Sequence, residues 1–368
     1  MRFKKWLAIG LAAVFSATIL AGCGFNSSGG SEKSAKSDSG SDDDLNIMVW
    51  DGTWSEEMFK DFTKKTGIKV NISYISNTDE IMTKLINGSA DYDLVDLEAA
   101  YVQPFIENDL LQKIDHSKVP NEKYLDPDEN VAPPGDKKME YTITDMGPNY
   151  TTIVYNKETC PIEIKSLKDL TNPKLKGQVA MVDSTISLYG AALQALGYKA
   201  SSTDEKEMKE AHDLLLKIKP NVKAFVGESA VPQLENGEVS AALCWDYPLL
   251  CNDSKDNWDK FGFVNLEGGC EEFTQYWTIP KSSKHAEEAE ELVNFIYNPE
   301  ELAKSYKEYG GIPVEKKDVI GKYLPEDYYE SPYIEGLKAL KPDAWMVPVS
   351  SEQIDLMDDY YTELKGSK

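Results

Sequence analysis

Asn46-Ile47-Met48-Val49-Trp50 is the stretch whose reading decides the fold. An unbroken apolar run this short, bounded by polar residues, reads as a strand buried on both faces. A helix is expected from about Ser55, because Trp54, Met58 and Phe62 recur at i, i+4 and i+8 and so share one face. Gly67 is placed to end it, and Ile68 to Ile75 returns as a β-branched strand. A second helix is expected over Asp79–Asn87, then a strand over Tyr92–Leu97. Strand and helix alternating over short connections imply a parallel sheet covered by helices.

The theme repeats further on. Gln178 to Val182 reads as a strand, and Ile186 to Leu196 as a helix ended by Gly197. Ser202-x-x-Glu205 has the form of a capping box opening a long helix that stops at Pro220. Ala241 to Trp245 is a strand. Helices over Ala286–Tyr297 and Pro299–Glu308 follow, and a last one lies around Gln353–Leu364. No short-period repeat is present, which argues against a solenoid. From Leu45 to Lys368 the chain is too long for one small core and suits two α/β lobes.

Outward from this body, the N-terminus reads as a secretory signal. Arg2, Lys4 and Lys5 precede an apolar run from Trp6 to Ile19, too short to span a bilayer. Leu20-Ala21-Gly22-Cys23 resembles the bacterial lipobox, which implies cleavage after residue 22 and a lipid on Cys23. Stable anchoring takes more than one acyl chain. Residues 23–44 are almost all Gly, Ser, Asn, Asp and Lys, a composition that does not order itself. Such a coil spans on the order of 25 Å root-mean-square. The expected location is the outer face of the cell membrane, with the lipid as the only membrane attachment.

Composition narrows the function. The formal net charge is −24, which argues against nucleic acid and anionic lipid as partners and mildly favours a cationic ligand. Arg2 is the only arginine, so the mature protein has no guanidinium fork for a carboxylate or phosphate. Cys160, Cys244, Cys251 and Cys270 match no zinc pattern; export permits disulfides, and buried free thiols are the slightly favoured reading. His116, His212 and His285 are scattered, and no nucleophile–base set, P-loop or H-E-x-x-H occurs. No enzyme, metal or cofactor is expected.

Several stretches together resemble the periplasmic spermidine/putrescine-binding proteins of polyamine ABC importers. They are Phe62 to Val70, Tyr92-Asp93-Leu94-Val95, Leu196-Gly197-Tyr198, Pro220-Asn221-Val222, Glu235 to Val239, Trp245, Ile279-Pro280 and Tyr360-Tyr361. The resemblance covers nearly all of the mature chain. It implies a two-lobed periplasmic-binding-protein fold of type II with the ligand in the interlobe cleft. Lobe one would hold residues 45–152 and 275–318, and lobe two residues 154–270 and 322–368. It also implies ABC permease subunits as partners and a monomeric receptor.

Carried over residue by residue, the resemblance places Trp50, Trp245 and Tyr101 at the ligand, where the family uses aromatic rings. Thr53 stands where a tyrosine is expected, with Trp54 beside it, and Ile312 replaces an aromatic hinge residue. Ser184 and Ser187 replace an acid pair, and Gln275 replaces a further acid. A buried ammonium without a counter-charge is costly, so Glu98, Asp183 or Asp246 would have to supply it. A helix N-terminus with two serines instead suits an acceptor-bearing solute, which leaves a zwitterionic, carboxylate-bearing or aromatic ligand open beside a polyamine. Trp54 also reads as helix packing, and Ser184 and Asp183 also read as caps. Adjacent tyrosines such as Tyr360-Tyr361 occur in iron-binding receptors, but their apolar neighbours here read as packing. A surface enzyme and a ligand sensor without transport are the other classes.

Overall fold

The computed structural model describes residues 44–75, 91–147, 149–227, 229–245, 247–253, 255–266, 269–340, 342–343 and 351–367. The signal, the anchor at Cys23, the tether up to residue 43, the helix expected over Asp79–Asn87 and Asp246 lie outside them.

The opening stretch is strand β1 (Leu45–Trp50), followed by helix α1 (Glu56–Thr66) and β2 (Val70–Ile75). Both faces of β1 are covered, with Ile47 and Val49 in one apolar cluster and Met48 and Trp50 in another. α1 buries Met58, Phe59 and Phe62, carries Glu56 and Glu57 in its first turn and Lys64 and Lys65 in its last, matching the helix dipole at both ends. Gly67 closes it in the left-handed region at φ 83°, donating its N–H to Thr63 O.

Then come β3 (Leu94–Glu98), α2 (Ala99–Glu107), β4 (Leu111–Gln112), β5 (Ile143–Thr144) and β6 (Asn149–Asn156). After them run β7 (Val179–Val182), α3 (Thr185–Ala195), α4 (Glu205–Ile218), β8 (Val222–Val226), α5 (Ala230–Glu235) and β9 (Ala241–Cys244). β10 (Phe261–Val264), β11 (Cys270–Phe273) and β12 (Gln275–Pro280) lead into α6 (Ala286–Ile296), α7 (Pro299–Tyr309), α8 (Lys317–Ile320) and α9 (Pro332–Ala339). β13 (Pro342–Asp343) and α10 (Ser351–Gly366) are last.

Among the described residues the strands form two sheets. The first runs β2-β1-β3-β12-β4 with β5 also on β12, and the second β13-β11-β6-β9-β7-β8 with β10 also on β6. β1 is parallel to β2 and β3, and β7 to β8 and β9, as the alternation implied. Each sheet also holds an antiparallel strand, β12 against β3 and β6 against β9, so neither is purely parallel. These two strands are where the chain passes between sheets. The first passage is residues 145–148, between β5 and β6, so a lobe boundary at residue 152 falls inside β6, which belongs wholly to the second sheet. The second passage is Thr274, between β11 and β12.

The capping expectation for α4 is corrected by two residues. Asp204, not Ser202, is the N-cap, its Oδ1 accepting from the N–H groups of Lys206 and Glu207 at 3.0 Å each. Ser202 Oγ instead donates to Glu207 at 2.5 Å. An aspartate two residues nearer the helix offers a charged acceptor to its orphan donors.

Candidate ligand-binding site

Both passages between the sheets are tied together at one place. Ala99 N–H donates to Thr274 O at 2.9 Å and Asp145 N–H to Gln275 O at 3.2 Å. Gln275, the first residue of β12, stands opposite Glu98, the last of β3. Both side chains are half-buried. Antiparallel register therefore sets an acid and an amide side by side at the hinge end of the first sheet. Trp50 ends the neighbouring strand, and it shares an apolar cluster with Tyr101 from α2. The indole Nε1 of Trp50 is buried without a hydrogen-bond partner among the described residues.

The second sheet contributes Trp245, directly after β9. Its Nε1 is shared between Thr151 Oγ1 at 3.0 Å and Ser187 Oγ at 3.2 Å. β6 supplies the threonine and the first turn of α3 supplies the serine, so three elements fix the ring plane. Ser184 is the N-cap of α3, its Oγ accepting from Ser187 N–H at 3.3 Å. Trp245 is half-buried, its ring packed against the apolar core, and with its N–H engaged only a ring face can serve a ligand. Such a face suits a methylene chain or a cation.

A recess of about 370 Å³ adjoins the end of β1, lined by Asp51, Glu56, Glu57 and Glu308 with Tyr74 and Tyr309. It makes this side of the first lobe strongly negative.

A description of the bacterial extracellular solute-binding proteins matches residues 57–319. The chain belongs to this family. Among its relatives, the spermidine/putrescine-binding periplasmic protein of Escherichia coli is 29% identical over 346 residues, spanning 89% of this chain and 93% of the other. Spermidine/putrescine-binding periplasmic protein 1 of Haemophilus influenzae is 27% identical across 99% of this chain and 100% of its own. A solved structure from Listeria monocytogenes, provisionally named a spermidine/putrescine ABC transporter, superposes with a TM-score of 0.76 at 25% identity, covering 88% of this chain and 99% of that one. The architecture is accordingly the two-lobed type II fold of the solute-binding proteins.

In this receptor fold the expected site residues fall into distinct groups. Trp50, Tyr101, Glu98 and Gln275 gather at the hinge end of one sheet, and Ser184, Ser187 and Trp245 at the second. Thr53 lies in the half-exposed turn after β1. Trp54 is in neither group. It is only 1% exposed, its ring lies 4.8 Å from that of Trp277, and its Nε1 donates to Asp96 Oδ2 at 3.0 Å. The packing alternative accounts for it, because a large ring at the entry to α1 faces the same core as Met58 and Phe62.

Asp183 also has other partners. Lys365 Nζ of α10 sits 2.7 Å from its Oδ1, and the Tyr361 hydroxyl donates to the same oxygen. Partial burial pushes this carboxyl up, but the Lys365 and Tyr361 bonds outweigh it and hold the group below its ordinary value. Its counter-charge is already present within the chain. The Tyr360-Tyr361 pair packs, as its neighbours implied: Tyr360 lies 4.7 Å from the His212 ring and Tyr361 edge-on to Phe225 at 6.0 Å.

Thr151, Lys365 and the acids Asp96 and Asp145 escaped the sequence reading. The first two act across long sequence separations that no local pattern reports. Asp96 did carry a signal, being an acid in the middle of an apolar strand.

Proposed function

We propose that this protein is the extracellular receptor of an ABC importer and that it takes a polyamine between its lobes. Trp50 and Tyr101 would wall one side of the ligand and Trp245 the other, with Glu98 facing an ammonium group beside Gln275. The observation that carries this reading is the fixing of Trp245 by Thr151 and Ser187, which sets the plane of an indole, a ring suited to an alkyl chain or a cation. The acidic recess beside β1 adds a field that draws cations toward the same end of the lobe. The relatives named for spermidine and putrescine support the same ligand class. Delivery to permease subunits, attachment through a lipid on Cys23 and action as a monomer complete the proposal. Calorimetric titration of spermidine and putrescine into ligand-free protein tests it, with Trp245→Ala as the control that should lose most of the heat.

A second reading has its own observation. Asp183 is neutralised by Lys365, Ser184 and Ser187 stand where the resemblance led to acids, and Trp50 Nε1 is a donor without a partner. Together these suit a solute that brings an acceptor, such as a zwitterion. A thermal-shift screen of amino acids and small carboxylates alongside the polyamines separates the two.

A further inference from the structure

Asp96 and Asp145 are both completely buried, and neither touches a cation. Asp96 lies near the end of β3, on the same face as Glu98 two residues on. Asp145 is the first residue of the passage between the lobes. Asp96 accepts from Trp54 Nε1 at 3.0 Å and from the backbone N–H of Trp50. Asp145 accepts from Met146 N–H, while its own N–H goes to Gln275 O at 3.2 Å. Among the described residues Asp96 Oδ1 and Asp145 Oδ2 meet no N–H or hydroxyl, yet the two side chains hydrogen-bond to each other. Two carboxylates are acceptors only. A bond between them requires that one carry a proton.

We propose that Asp96 and Asp145 hold one proton between them and form a clasp, which ties the first interlobe passage to the hinge end of β3 and releases when that proton is lost. The surroundings favour the proton. Tyr297, at the end of α6, and Tyr306, on α7, face Asp145, and Glu122 and Glu315 stand behind them. None of these is a cation. The Tyr297 hydroxyl donates to Thr144 O, holding the residue before Asp145 in place. Glu315 is itself buried without a partner for either oxygen, and burial pushes it up to about 8.

The direction follows from burial. It pushes Asp96 up to about 6, and burial together with the Asp96 charge pushes Asp145 well above the carboxylate range. The pair therefore holds its last proton well above the ordinary carboxylate range. When that proton is lost, two charges are left in a site with no counter-ion, and the passage is driven off β3. Closure of the receptor thus carries a proton requirement at its hinge, separate from whatever charge the ligand brings.

Carboxyl 13C NMR on the full chain labelled at aspartate, without ligand, reads the pair directly. One aspartate should titrate well above the range in which an ordinary carboxyl ionises. Amide hydrogen exchange over residues 142–152, corrected for the intrinsic rate, should rise about tenfold as the pH passes through that titration. In Asp145→Asn, whose amide donates without titrating, that rise should vanish. Asp96→Asn, which leaves Asp145 as the only acid, serves where the first variant folds poorly, and should flatten the profile likewise. Aspartates that all titrate below about pH 5 in wild type, or variants that keep the wild-type exchange profile, would overturn the proposal.

Discussion

Trp245 is held by Ser187: the indole Nε1 donates to the serine Oγ at 3.2 Å, across the gap between the end of β9 and the first turn of α3. Thr151 Oγ1, 3.0 Å from the same nitrogen, completes the grip. The serine that replaces an expected acid therefore has a use of its own, to set the plane of the ring. Trp245→Ala should weaken binding of the true ligand by roughly 1–3 kcal/mol with the fold intact. Ser187→Ala, which leaves Thr151 in place, should lose less, about 0.5–1.5 kcal/mol. Calorimetry paired with far-UV circular dichroism checks both.

Asp183 leads to the opposite expectation. Because Lys365 and Tyr361 already engage it, Asp183→Asn should leave ligand affinity unchanged. The ion pair is substantially exposed, so its loss should lower stability by no more than about 1 kcal/mol. The folded carboxyl is held below its ordinary value, so this contribution is present at neutral pH and fades as pH falls through that lowered value. Urea melts of wild type and variant should therefore differ at neutral pH and converge once the pH has fallen below that lowered value.

Much of the fold was legible from residues 46–97, because β1 and α1 announce themselves through local apolar periodicity and a glycine stop. β12 was not, since an antiparallel strand arriving from residue 275 beside β3 leaves no trace in the spacing of either segment. The site divides the same way. Trp50, Glu98 and Trp245 sit at strand ends, which alternation locates. Thr151, which holds Trp245, and Gln275, which stands opposite Glu98, come from strands that begin just after the chain crosses between sheets. Trp54 misled because a tryptophan beside a strand end looks alike from sequence whether it faces a ligand or the carboxylate of Asp96.

Trp54→Phe isolates that last point. It keeps the packing on Trp277 but removes a donor from buried Asp96. Stability should fall by about 1–3 kcal/mol, with little change in ligand affinity once the protein is folded. A denaturant melt and a titration on the same sample tell the two effects apart.

Two glycines pack too closely for a side chain, Gly147 in the first passage between the lobes and Gly310 directly after α7. A Cβ on Gly147 would lie 2.0 Å from Ile312 O, and one on Gly310, at φ 77°, would lie 1.8 Å from Pro248 O. Gly147→Ala and Gly310→Ala should each destabilise by roughly 1–3 kcal/mol, because backbone must shift to admit the methyl. Small-angle scattering with and without ligand should also show a smaller compaction than in wild type.

The proposed ligand is a cationic alkyl chain held against Trp245. Titration of spermidine and putrescine into ligand-free wild-type protein measures that directly. Saturable binding of at least one of them, largely lost in Trp245→Ala, is the predicted result. No heat at millimolar polyamine, with the same protein responding to a zwitterion or small carboxylate, would contradict it.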